Sequence, residues 1–437
     1  MLAWDDNGGR RADAAGAGVA LAEPQGLDWS RISALVLSPG VPLTHPTPHP
    51  VVRLARAAGV EIIGDTELLA RSAPAVRFVG ITGTNGKSTT TALIGHLLAC
   101  AGLPSQVGGN LGTPALDLEP LAPGGVYVLE MSSYQLDLTT TMTFDVAVLL
   151  NVSADHIDRH GDMDGYIAAK KRIFARQASR HAAVVAVDDE HTHAIAHALE
   201  GGPARLIWVS ARHPLERGVF VQDGRMFDAI EGPARMVRDL TGIVTLTGAH
   251  NWQNAAAAYA AGRALGVDQE VLSAALPSYP GLAHRLEQVA TIDGVRFVND
   301  SKATNAAATA QALACFDPIY WIAGGRAKEG GLDGLEPYFD RIAHAFLIGE
   351  AAERFAGQLD GRVAATRSGD LATALRDAWR HARSEGRTGG VVLLSPACAS
   401  FDQFANFEAR GDAFRALVRT LEAEQARPAA ADREARS

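Results

Sequence analysis

Short apolar runs alternate with segments of helical periodicity along most of the chain, which is the pattern of an α/β protein. The clearest example starts with an apolar run at residues 76–79 and ends in residues 89–100, where apolar side chains recur at helical spacing. Between them lies Gly80-Ile81-Thr82-Gly83-Thr84-Asn85-Gly86-Lys87-Ser88. A strand, a glycine-rich turn, a lysine, a hydroxyl residue and a helix, in that order, are typical of a phosphate-binding loop. The strict pattern requires glycine where this chain has Ile81, so the loop is a variant.

The same alternation divides the chain into three α/β segments and a tail. Residues 1–74 form a small first segment, 75–280 a larger central one and 281–425 a third. Residues 426–437 have no apolar face and are predicted to be disordered. Residues 1–4 are interpreted as the end of a strand with acidic residues at its tip. The other predicted elements are strands at 33–37, 60–63, 126–129, 145–150, 295–299, 319–323, 345–348 and 391–395, a turn at 107–112, a hairpin at 219–227, and helices at 51–58, 166–174 and 251–265.

Composition narrows the class of protein without identifying it. The chain has 437 residues, 47% of them hydrophobic and 20% charged, as in an ordinary globular protein. A formal charge of −9 gives no reason to expect a nucleic-acid partner. We expect no membrane span and no signal peptide, because uninterrupted apolar stretches are short and the first residues lack a basic region and an apolar core. The three cysteines show no metal or disulfide spacing, which favours buried thiols in a reducing cytoplasm.

The residues around the phosphate-binding loop suit magnesium-nucleotide chemistry. Lys87 would reach the β- and γ-phosphates, and the Ser88 hydroxyl would bind Mg²⁺. Glu130 follows the predicted strand at 126–129, and the carboxyl ends of strands in open α/β sheets line the ligand crevice. A carboxylate there is placed to hold Mg²⁺, the alternative being a surface or helix-capping glutamate.

A second cluster of polar residues follows the next predicted strand. Residues 151–160 contain two carboxylates and two histidines, which makes them a candidate for metal binding or acid–base chemistry. His156, directly after Asp155, is the better candidate ligand, whereas His160 is interpreted as structural.

Of three further stretches, the first has one interpretation from its residues and the other two have two each. The basic helix at 166–174 is ordinarily a solvated face. Asp300 and Lys302, at the end of a predicted strand, suit either the ribose and phosphate of a nucleotide or an ion pair at a turn. Residues 395–407 follow another strand and suit a ligand site or a helix cap with core phenylalanines.

Taken together, several ordered stretches resemble the Mur ligase family of peptidoglycan synthesis. They are the loop at 82–88, the Glu130 segment, residues 151–160, Gly-Ala-His-Asn-Trp-Gln-Asn at 248–254, and His284-Arg285. Residues 299–305 and 395–411 further resemble the member of the family that adds D-glutamate. The resemblance implies an α/β fold of three domains: a Rossmann-like N-terminal domain without its first strand, a central P-loop ATPase-like domain, and a C-terminal Rossmann-like domain.

The resemblance implies a monomeric, cytoplasmic, ATP-dependent ligase that joins D-glutamate to UDP-N-acetylmuramoyl-L-alanine. ATP would convert the L-alanyl carboxylate into an acyl phosphate, which the amine of D-glutamate would attack. One Mg²⁺ would bind Ser88 and Glu130, and a second would bind His156 and a carbamate formed by CO₂ on Lys170. The family pattern places the modified lysine after Ala-Ala, which favours Lys170, but the residues alone leave Lys171 open. The residues implied to be catalytic are Lys87, Glu130, His156 and Lys170.

The resemblance also implies a set of ligand contacts. Those to ATP are Gly83, Thr84, Asn85, Gly86, Lys87, Ser88, Thr89, Asn251, Asn254, Arg285, Asp300 and Lys302. Those to D-glutamate are Thr304, Lys328, Ser400 and Phe407. Those to the UDP-sugar are Ser38, Asn110, Ser132 and Gln135.

The chain departs from the family pattern at its start. Family members have a first strand and a glycine-rich turn before the stretch that matches residues 3–6, and neither is present, so we expect the start codon to lie further upstream. Two rival functions remain: an amide ligase of the Mur or folylpolyglutamate type with another acceptor, and a non-catalytic ATP-binding protein. The segment at 395–411 favours the D-glutamate acceptor, and the intact set of four implied catalytic residues argues against a loss of chemistry.

Overall fold

A computed structural model describes residues 1–110, 112–386 and 389–426, which divide into two units. The first unit comprises Met1–Gln222, Met226–Val237 and Gln253–Ala275; the second comprises Asp223–Arg225, Arg238–Trp252 and the chain from Leu276 onward. The predicted domain boundaries at 74, 280 and 425 stay a prediction. Leu111, in the predicted turn, and residues 427–437, in the predicted tail, lie outside the described residues. Within those ranges no helix has both the length and the apolar character that crossing a membrane requires.

The first 74 residues form a small parallel sheet with helices beside it. Its two strands pair along their full length, and Leu37, Val52 and Leu138 pack together next to them. The predicted strand end at residues 1–4 is wrong. Ala3 forms one isolated bridge to Leu21, and no neighbouring pair extends it into a strand. The elements are α1 (Gly8–Gly16), β1 (Ala34–Val36), α2 (Pro50–Ala57), β2 (Glu61–Ile63) and α3 (Asp65–Ser72), with 3₁₀ turns at Pro24–Gly26 and Trp29–Arg31.

A mixed sheet organises the central segment. Within the described residues it has nine strands in the order β11-β10-β9-β8-β7-β6-β3-β5-β4, and the seven from β9 to β4 pair in parallel. Its elements are β3 (Arg77–Thr82), α4 (Lys87–Cys100), β4 (Ser105–Gly109), β5 (Val126–Glu130), α5 (Ser133–Asp137), β6 (Val146–Leu149), α6 (Ile157–His160), α7 (Met163–Lys171), β7 (Ala182–Ala186), α8 (Glu190–Leu199), β8 (Arg205–Ser210), β9 (Gly218–Gln222), β10 (Arg225–Ala229), β11 (Arg235–Asp239), α9 (Ala249–Ala264) and α10 (Gln269–Ala275). Four 3₁₀ helices accompany them in the described chain: Ala115–Asp117, Arg172–Phe174, Val244–Leu246 and Leu276–Ser278.

The inner strands of this sheet are apolar over nearly their whole length because both of their faces are covered. β5 and β6 are buried at every position, as the apolar runs at 126–129 and 145–150 predict. The predicted turn at 107–112 begins later than expected, because Gly108 and Gly109 still belong to β4. A Cβ at Gly109 would lie 2.5 Å from the carbonyl oxygen of Glu130, so this glycine permits close strand approach. The predicted helix at 166–174 becomes a 3₁₀ turn after Lys171.

A second sheet organises the chain after residue 286. In the described residues its six strands run in the order β12-β13-β18-β14-β16-β17, and a large apolar cluster covers each face. All four strands predicted in this part of the sequence are present. The elements are β12 (Glu287–Ile292), β13 (Val295–Asn299), α11 (Ala306–Leu313), β14 (Ile319–Gly324), β15 (Arg326–Ala327), a 3₁₀ helix (Glu336–Arg341), β16 (Ile342–Ile348), α12 (Ala352–Leu359), β17 (Ala365–Gly369), α13 (Leu371–Glu385), β18 (Val391–Leu394), β19 (Cys398–Ala399) and α14 (Phe407–Ala426).

A single buried carboxylate, that of Glu67, fastens α3 to the chain after α5. Its two oxygens accept the backbone N–H groups of Thr140, Thr141 and Met142 at 2.9–3.0 Å, and both threonine hydroxyls. Arg71 adds an ion pair at 3.0 Å. Burial alone would raise the pKa of Glu67, but the hydrogen bonds from Thr141 and the three backbone amides outweigh it and hold the pKa at about 2.

We expect Glu67→Gln to destabilise the protein by about 3 kcal/mol, because three backbone N–H groups lose a charged acceptor. Glu61→Gln is the matched control, since Glu61 also pairs with Arg71 but is 41% exposed. The folded pKa of Glu67 lies below its ordinary value of 4.5, so its contribution is complete above pH 4.5 and is lost as the pH falls towards 2. Urea unfolding at pH 7 and pH 3 measures both effects. Equal free energies of unfolding for the two variants at pH 7 would contradict this role.

Candidate active site

The strands that end around the phosphate-binding loop place its predicted partners at one edge of the sheet. In the parallel register Ile81 of β3 lies beside Glu130 of β5, and Thr82 lies beside Leu149 of β6. The Thr82 hydroxyl donates to the carbonyl of Met131 at 2.8 Å. The loop, Glu130 and the polar segment that begins at Asn151 therefore leave the sheet at adjacent positions, as the sequence predicts.

Two glycines shape the phosphate-binding loop. Gly83 has φ 154° and Gly86 has φ 86°. Gly86 is the N-cap residue of α4, which begins at Lys87. A Cβ at Gly86 would lie 2.4 Å from the side-chain oxygen of Asn254, which itself accepts a hydrogen bond from Thr90. The N-terminus of α4 brings its partial positive charge to this turn, as an anion site requires.

Asn151 braces the loop from the end of β6. Its side chain accepts from the N–H of Asn85 at 2.7 Å and donates to the carbonyl of Asn85 at 3.0 Å, and its own carbonyl accepts from Thr84 N–H at 2.9 Å. The Thr84 hydroxyl donates to the carbonyl of Ser153 at 3.1 Å. The loop is thereby held in shape by the chain that leads to His156. Asn151 begins the predicted polar segment at 151–160, but its role in holding the loop was not predicted.

Two lysine amino groups share one acceptor in this loop. Lys87 donates to the carbonyl oxygens of Gly83 and Thr84, both at 2.9 Å, and Lys170 donates to that of Gly83 at 2.8 Å. The Lys170 side chain lies over the ring of Tyr166 at 4.5 Å and is 1% exposed. Burial, followed by repulsion from Lys87, lowers the pKa of Lys170 well below its usual range. Its neighbour Lys171 is exposed, so of these two lysines only Lys170 faces the loop.

The two carboxylate oxygens of Glu130 differ in their hydrogen bonding. Glu130 is 3% exposed, and its Oε1 accepts from the side-chain amide of Asn110 at 2.8 Å. Its Oε2 is buried and has no hydrogen-bond partner among the described residues. A buried carboxylate oxygen in that condition beside a phosphate-binding loop fits a cation such as Mg²⁺.

The two histidines of the 151–160 segment have different surroundings. His156 stands in the left-handed conformation (φ 53°) before α6, and its side chain is 46% exposed, with Nε2 3.5 Å from an Asp155 oxygen. His160 is buried, with Nε2 2.9 Å from the hydroxyl of Ser133. Burial, followed by nearby positive charge, lowers the pKa of His160 to about 4, so the ring is neutral at pH 7. His156 is therefore the more available of the two as a ligand. Across the described residues, no group of three or more His, Cys, Asp or Glu side chains is arranged to hold a metal.

The predicted UDP-sugar contacts lie on three elements of the first unit. Ser132 and Gln135 form a capping box at the start of α5, in which each side chain bonds the other residue's backbone N–H. Asn110 follows β4, and Ser38 is exposed after β1. Their contacts with a substrate stay a prediction, and any such contact at Ser132 or Gln135 would coexist with the cap.

In the second unit, Asp300 lies at the end of β13 in a buried network. Its oxygens accept from the Ser395 hydroxyl at 2.8 Å and from the N–H of Leu286 at 3.2 Å. Burial raises the pKa of Asp300 to about 7, against the lowering effect of the Ser395 bond and of Arg285. Lys302 lies near the ring of Phe407, with its ammonium 5.3 Å from the ring centre.

The four predicted D-glutamate contacts belong to neighbouring parts of this unit. Ser400 is buried after β19, which pairs antiparallel with β15, and Lys328 is exposed directly after β15. Thr304 is half-buried two residues after Lys302, and Phe407 starts α14.

Arg410 joins two of these stretches and was missed from the sequence. It is buried on α14 and donates to the hydroxyl of Ser301 at 2.9 Å, the carbonyl of Ser301 at 2.8 Å and the carbonyl of Cys398 at 3.1 Å. These bonds hold the turn beside Asp300 against the segment beside Ser400. Arg410 is one of three arginines on α14, and nothing in the sequence indicates that its guanidinium, unlike the other two, binds backbone carbonyls far along the chain.

Comparison with known proteins agrees with this geometry. A model of the Mur ligase middle domain matches residues 81–262, and a model of the Mur ligase glutamate ligase domain matches residues 284–398. A UDP-N-acetylmuramoylalanine–D-glutamate ligase of Caulobacter vibrioides is 52% identical over 96% of this chain and 90% of its own length. The corresponding ligase of Rhodospirillum rubrum is 53% identical over 96% of this chain and 89% of its own length.

Solved structures share the fold at low sequence identity. MurC of Thermotoga maritima has a TM-score of 0.59 at 16% identity, over 97% of this chain and 93% of its own. MurF of Acinetobacter baumannii has a TM-score of 0.57 at 21% identity, over 82% and 78%.

The sheet edge, the variant phosphate-binding loop and the buried glutamate are those of an α/β nucleotide-binding enzyme with the fold class expected from the sequence. The matches to the domain models, and to relatives over nearly the whole chain, then identify the family. The chain belongs to the Mur ligase family.

We expect Gly86→Ala to weaken ATP binding at least about tenfold, because the new methyl group would strain a positive φ and displace Asn254. Gly102→Ala is the matched control: Gly102 lies just after the other end of α4 with φ 68°, and a Cβ there would meet nothing within 4 Å. Calorimetric titration with ATP measures the affinity, and thermal unfolding separates it from stability. An ATP affinity of Gly86→Ala equal to that of Gly102→Ala would contradict the assignment of the loop.

Proposed function

We propose that the protein joins D-glutamate to UDP-N-acetylmuramoyl-L-alanine, at the cost of ATP, as a cytoplasmic monomer in peptidoglycan precursor synthesis. The observation that carries this proposal is the identity of 52–53% to D-glutamate ligases over 96% of the chain. The site adds physical support, because the phosphate-binding loop and Glu130 follow adjacent strands, and Glu130 has a buried oxygen with no hydrogen-bond partner among the described residues.

The reaction requires activation of a carboxylate. A carboxylate resists attack by an amine because its leaving group would be oxide, whereas an acyl phosphate has a good leaving group. ATP supplies the phosphoryl group: the carboxylate oxygen forms a bond to γ-phosphorus as the bond to ADP breaks. The amine of D-glutamate then attacks the acyl carbon, phosphate leaves, and one amine proton is released. Phosphoryl transfer depends chiefly on aligned reactants and on positive charge close to the phosphate oxygens.

The residues of the first unit can supply that charge. Lys87 would exchange its bonds with Gly83 and Thr84 for phosphate oxygens. Glu130 and Ser88 would hold one Mg²⁺, and His156 with a carbamylated Lys170 would hold a second. The ions, when bound, neutralise charge on the phosphates and on the acceptor carboxylate. Asn110 would keep Glu130 in the orientation that leaves Oε2 available.

Carbamylation of Lys170 is supported by its environment. The uncharged amine is the form that reacts with CO₂, and burial beside Lys87 favours that form. The product is an anion, which removes the repulsion between the two lysines and gains a favourable neighbour in Lys87. An unmodified ammonium at this position would oppose a metal ion.

The remaining proposed contacts follow the family assignment. Asn251, Asn254, Arg285, Asp300 and Lys302 would contact ATP. Thr304, Lys328, Ser400 and Phe407 would bind D-glutamate, with the Lys328 ammonium facing a carboxylate. Ser38, Asn110, Ser132 and Gln135 would contact the UDP-sugar.

The decisive test is phosphate release from ATP with UDP-N-acetylmuramoyl-L-alanine, in the presence and absence of D-glutamate. We expect release to require both the UDP-sugar and D-glutamate, with L-glutamate inactive as the stereochemical control. Lys87→Met should reduce kcat by at least about a hundredfold, since one charged contact to the transferred group is lost. Release with another amino acid instead would indicate an amide ligase with a different acceptor. ATP binding without release under any of these conditions would leave a non-catalytic nucleotide-binding protein.

Carbamylation has its own test, carbon-13 NMR of the protein in labelled bicarbonate. We expect a carbamate signal in the wild type and in Lys171→Gln, and none in Lys170→Gln. Phosphate release should follow the same order, because Lys171 lies outside the site. A carbamate signal that persists in Lys170→Gln but disappears in Lys171→Gln would reverse the choice between the two lysines.

A further inference from the structure

Arg159 makes contacts to which the proposed chemistry assigns no role. It is half-buried on the short helix α6, three residues after His156. Its guanidinium donates to three successive backbone carbonyls in the loop at residues 38–42: that of Pro39 at 3.3 Å, that of Gly40 at 2.8 Å and that of Val41 at 3.1 Å. A guanidinium is a rigid planar fork, so three bonds to one loop fix the orientation of that loop as well as its distance.

The guanidinium of Arg159 also lies over the aromatic ring of Tyr134. The arginine carbon lies 4.7 Å from the centre of the Tyr134 ring, which is a cation–π contact. Tyr134 belongs to α5, the helix that follows Glu130, and its ring is 5.0 Å from the ring of His156. Arg159 therefore touches the 38–42 loop and the element next to Glu130 at the same time.

A second contact joins the same loop region to the same segment. Gly161, which ends α6, has φ 87°, and a Cβ there would lie 3.0 Å from the imidazole of His45. The chain at 39–45 thus packs against both Arg159 and the end of α6. The placement of this loop depends on the His156 segment and not only on the sheet from which the loop emerges.

We propose that Arg159 is a positioning residue, which fixes the loop beginning at Ser38 relative to the segment that carries His156. The proposal rests on the proposed function, in which Ser38 contacts the UDP-sugar and His156 lies near the carboxylate to be phosphorylated. Holding both segments with one side chain sets where the acceptor carboxylate stands relative to the phosphate-binding loop. Small displacements of aligned reactants slow transfer strongly, so the effect should reach kcat as well as KM.

Two substitutions separate charge from geometry. Arg159→Lys keeps the positive charge and loses the planar fork, whereas Arg159→Met keeps a stem over Tyr134 and loses every donor. Arg53→Met is the matched control, because Arg53 also donates to a carbonyl of the first segment, that of Pro48 at 2.6 Å, but is exposed on α2.

Steady-state kinetics form the first half of the test. We expect Arg159→Met to lower kcat/KM for UDP-N-acetylmuramoyl-L-alanine by at least about tenfold, with the dissociation constant of ATP changed less than about twofold. Arg159→Lys should recover only part of that loss, and Arg53→Met should match the wild type. A general loss of folding would instead weaken ATP binding in parallel. Equal kcat/KM in Arg159→Met and Arg53→Met would overturn the proposal.

Hydrogen exchange followed by mass spectrometry forms the second half and needs no activity. We expect the amides of residues 38–42 and of 156–161 to exchange faster together in Arg159→Met and to be unchanged in Arg53→Met. Unchanged exchange in either segment would overturn the coupling, even in an active enzyme. A wild type that shows no release dependent on D-glutamate would instead overturn the proposed function, while this exchange result would still decide whether Arg159 joins the two segments.

Discussion

The parallel register of three strands is the constraint on which the site depends. β3 lies between β5 and β6, and the pairing of Ile81 with Glu130 and of Thr82 with Leu149 brings three chain segments out of the sheet at the same edge. Side chains alternate between the faces of a strand, so a slip of one residue would turn Glu130 to the opposite face. Both faces are apolar, so it is the close packing of particular side chains that opposes such a slip. The packing of the sheet and the position of the Glu130 carboxylate are therefore set by the same contacts.

The elements that depend on local pattern could be predicted from the sequence. The apolar runs that became β5, β6, β13 and β14 are buried and bounded by turn residues, so their periodicity identifies them. The phosphate-binding loop was predictable for a similar reason, because its glycines, lysine and hydroxyl residue are consecutive. The α/β class and the family follow from these ordered stretches and are confirmed by the domain models and the relatives.

The interactions between distant segments could not be predicted in this way. Arg159 and Arg410 bind backbone carbonyls, and every residue has a backbone carbonyl, so the sequence does not show which ones will be acceptors. Glu67 binds amides more than seventy residues along the chain, and only the folded chain brings them together. The strand expected at residues 1–4 is absent for a related reason: Ala3 forms a bridge with Leu21, but a strand also needs neighbouring pairs, which the sequence of one segment does not display. The substrate, nucleotide and metal contacts remain predictions, because each depends on the position of a bound molecule as well as on the side chains of the protein.

The two bonds that Lys87 makes with its own loop have a consequence for nucleotide choice. The ammonium already has two neutral carbonyl acceptors, so a nucleotide bound as proposed would gain from it only the difference between those carbonyls and its own phosphate oxygens. A terminal phosphate carries charge and repays the exchange, whereas a nucleoside or a monophosphate that stops short of the lysine would leave both carbonyl bonds in place. In the proposed role of Lys87, the carbonyl groups of the loop compete with phosphate for the lysine, and discrimination by the number of phosphates would follow from that competition.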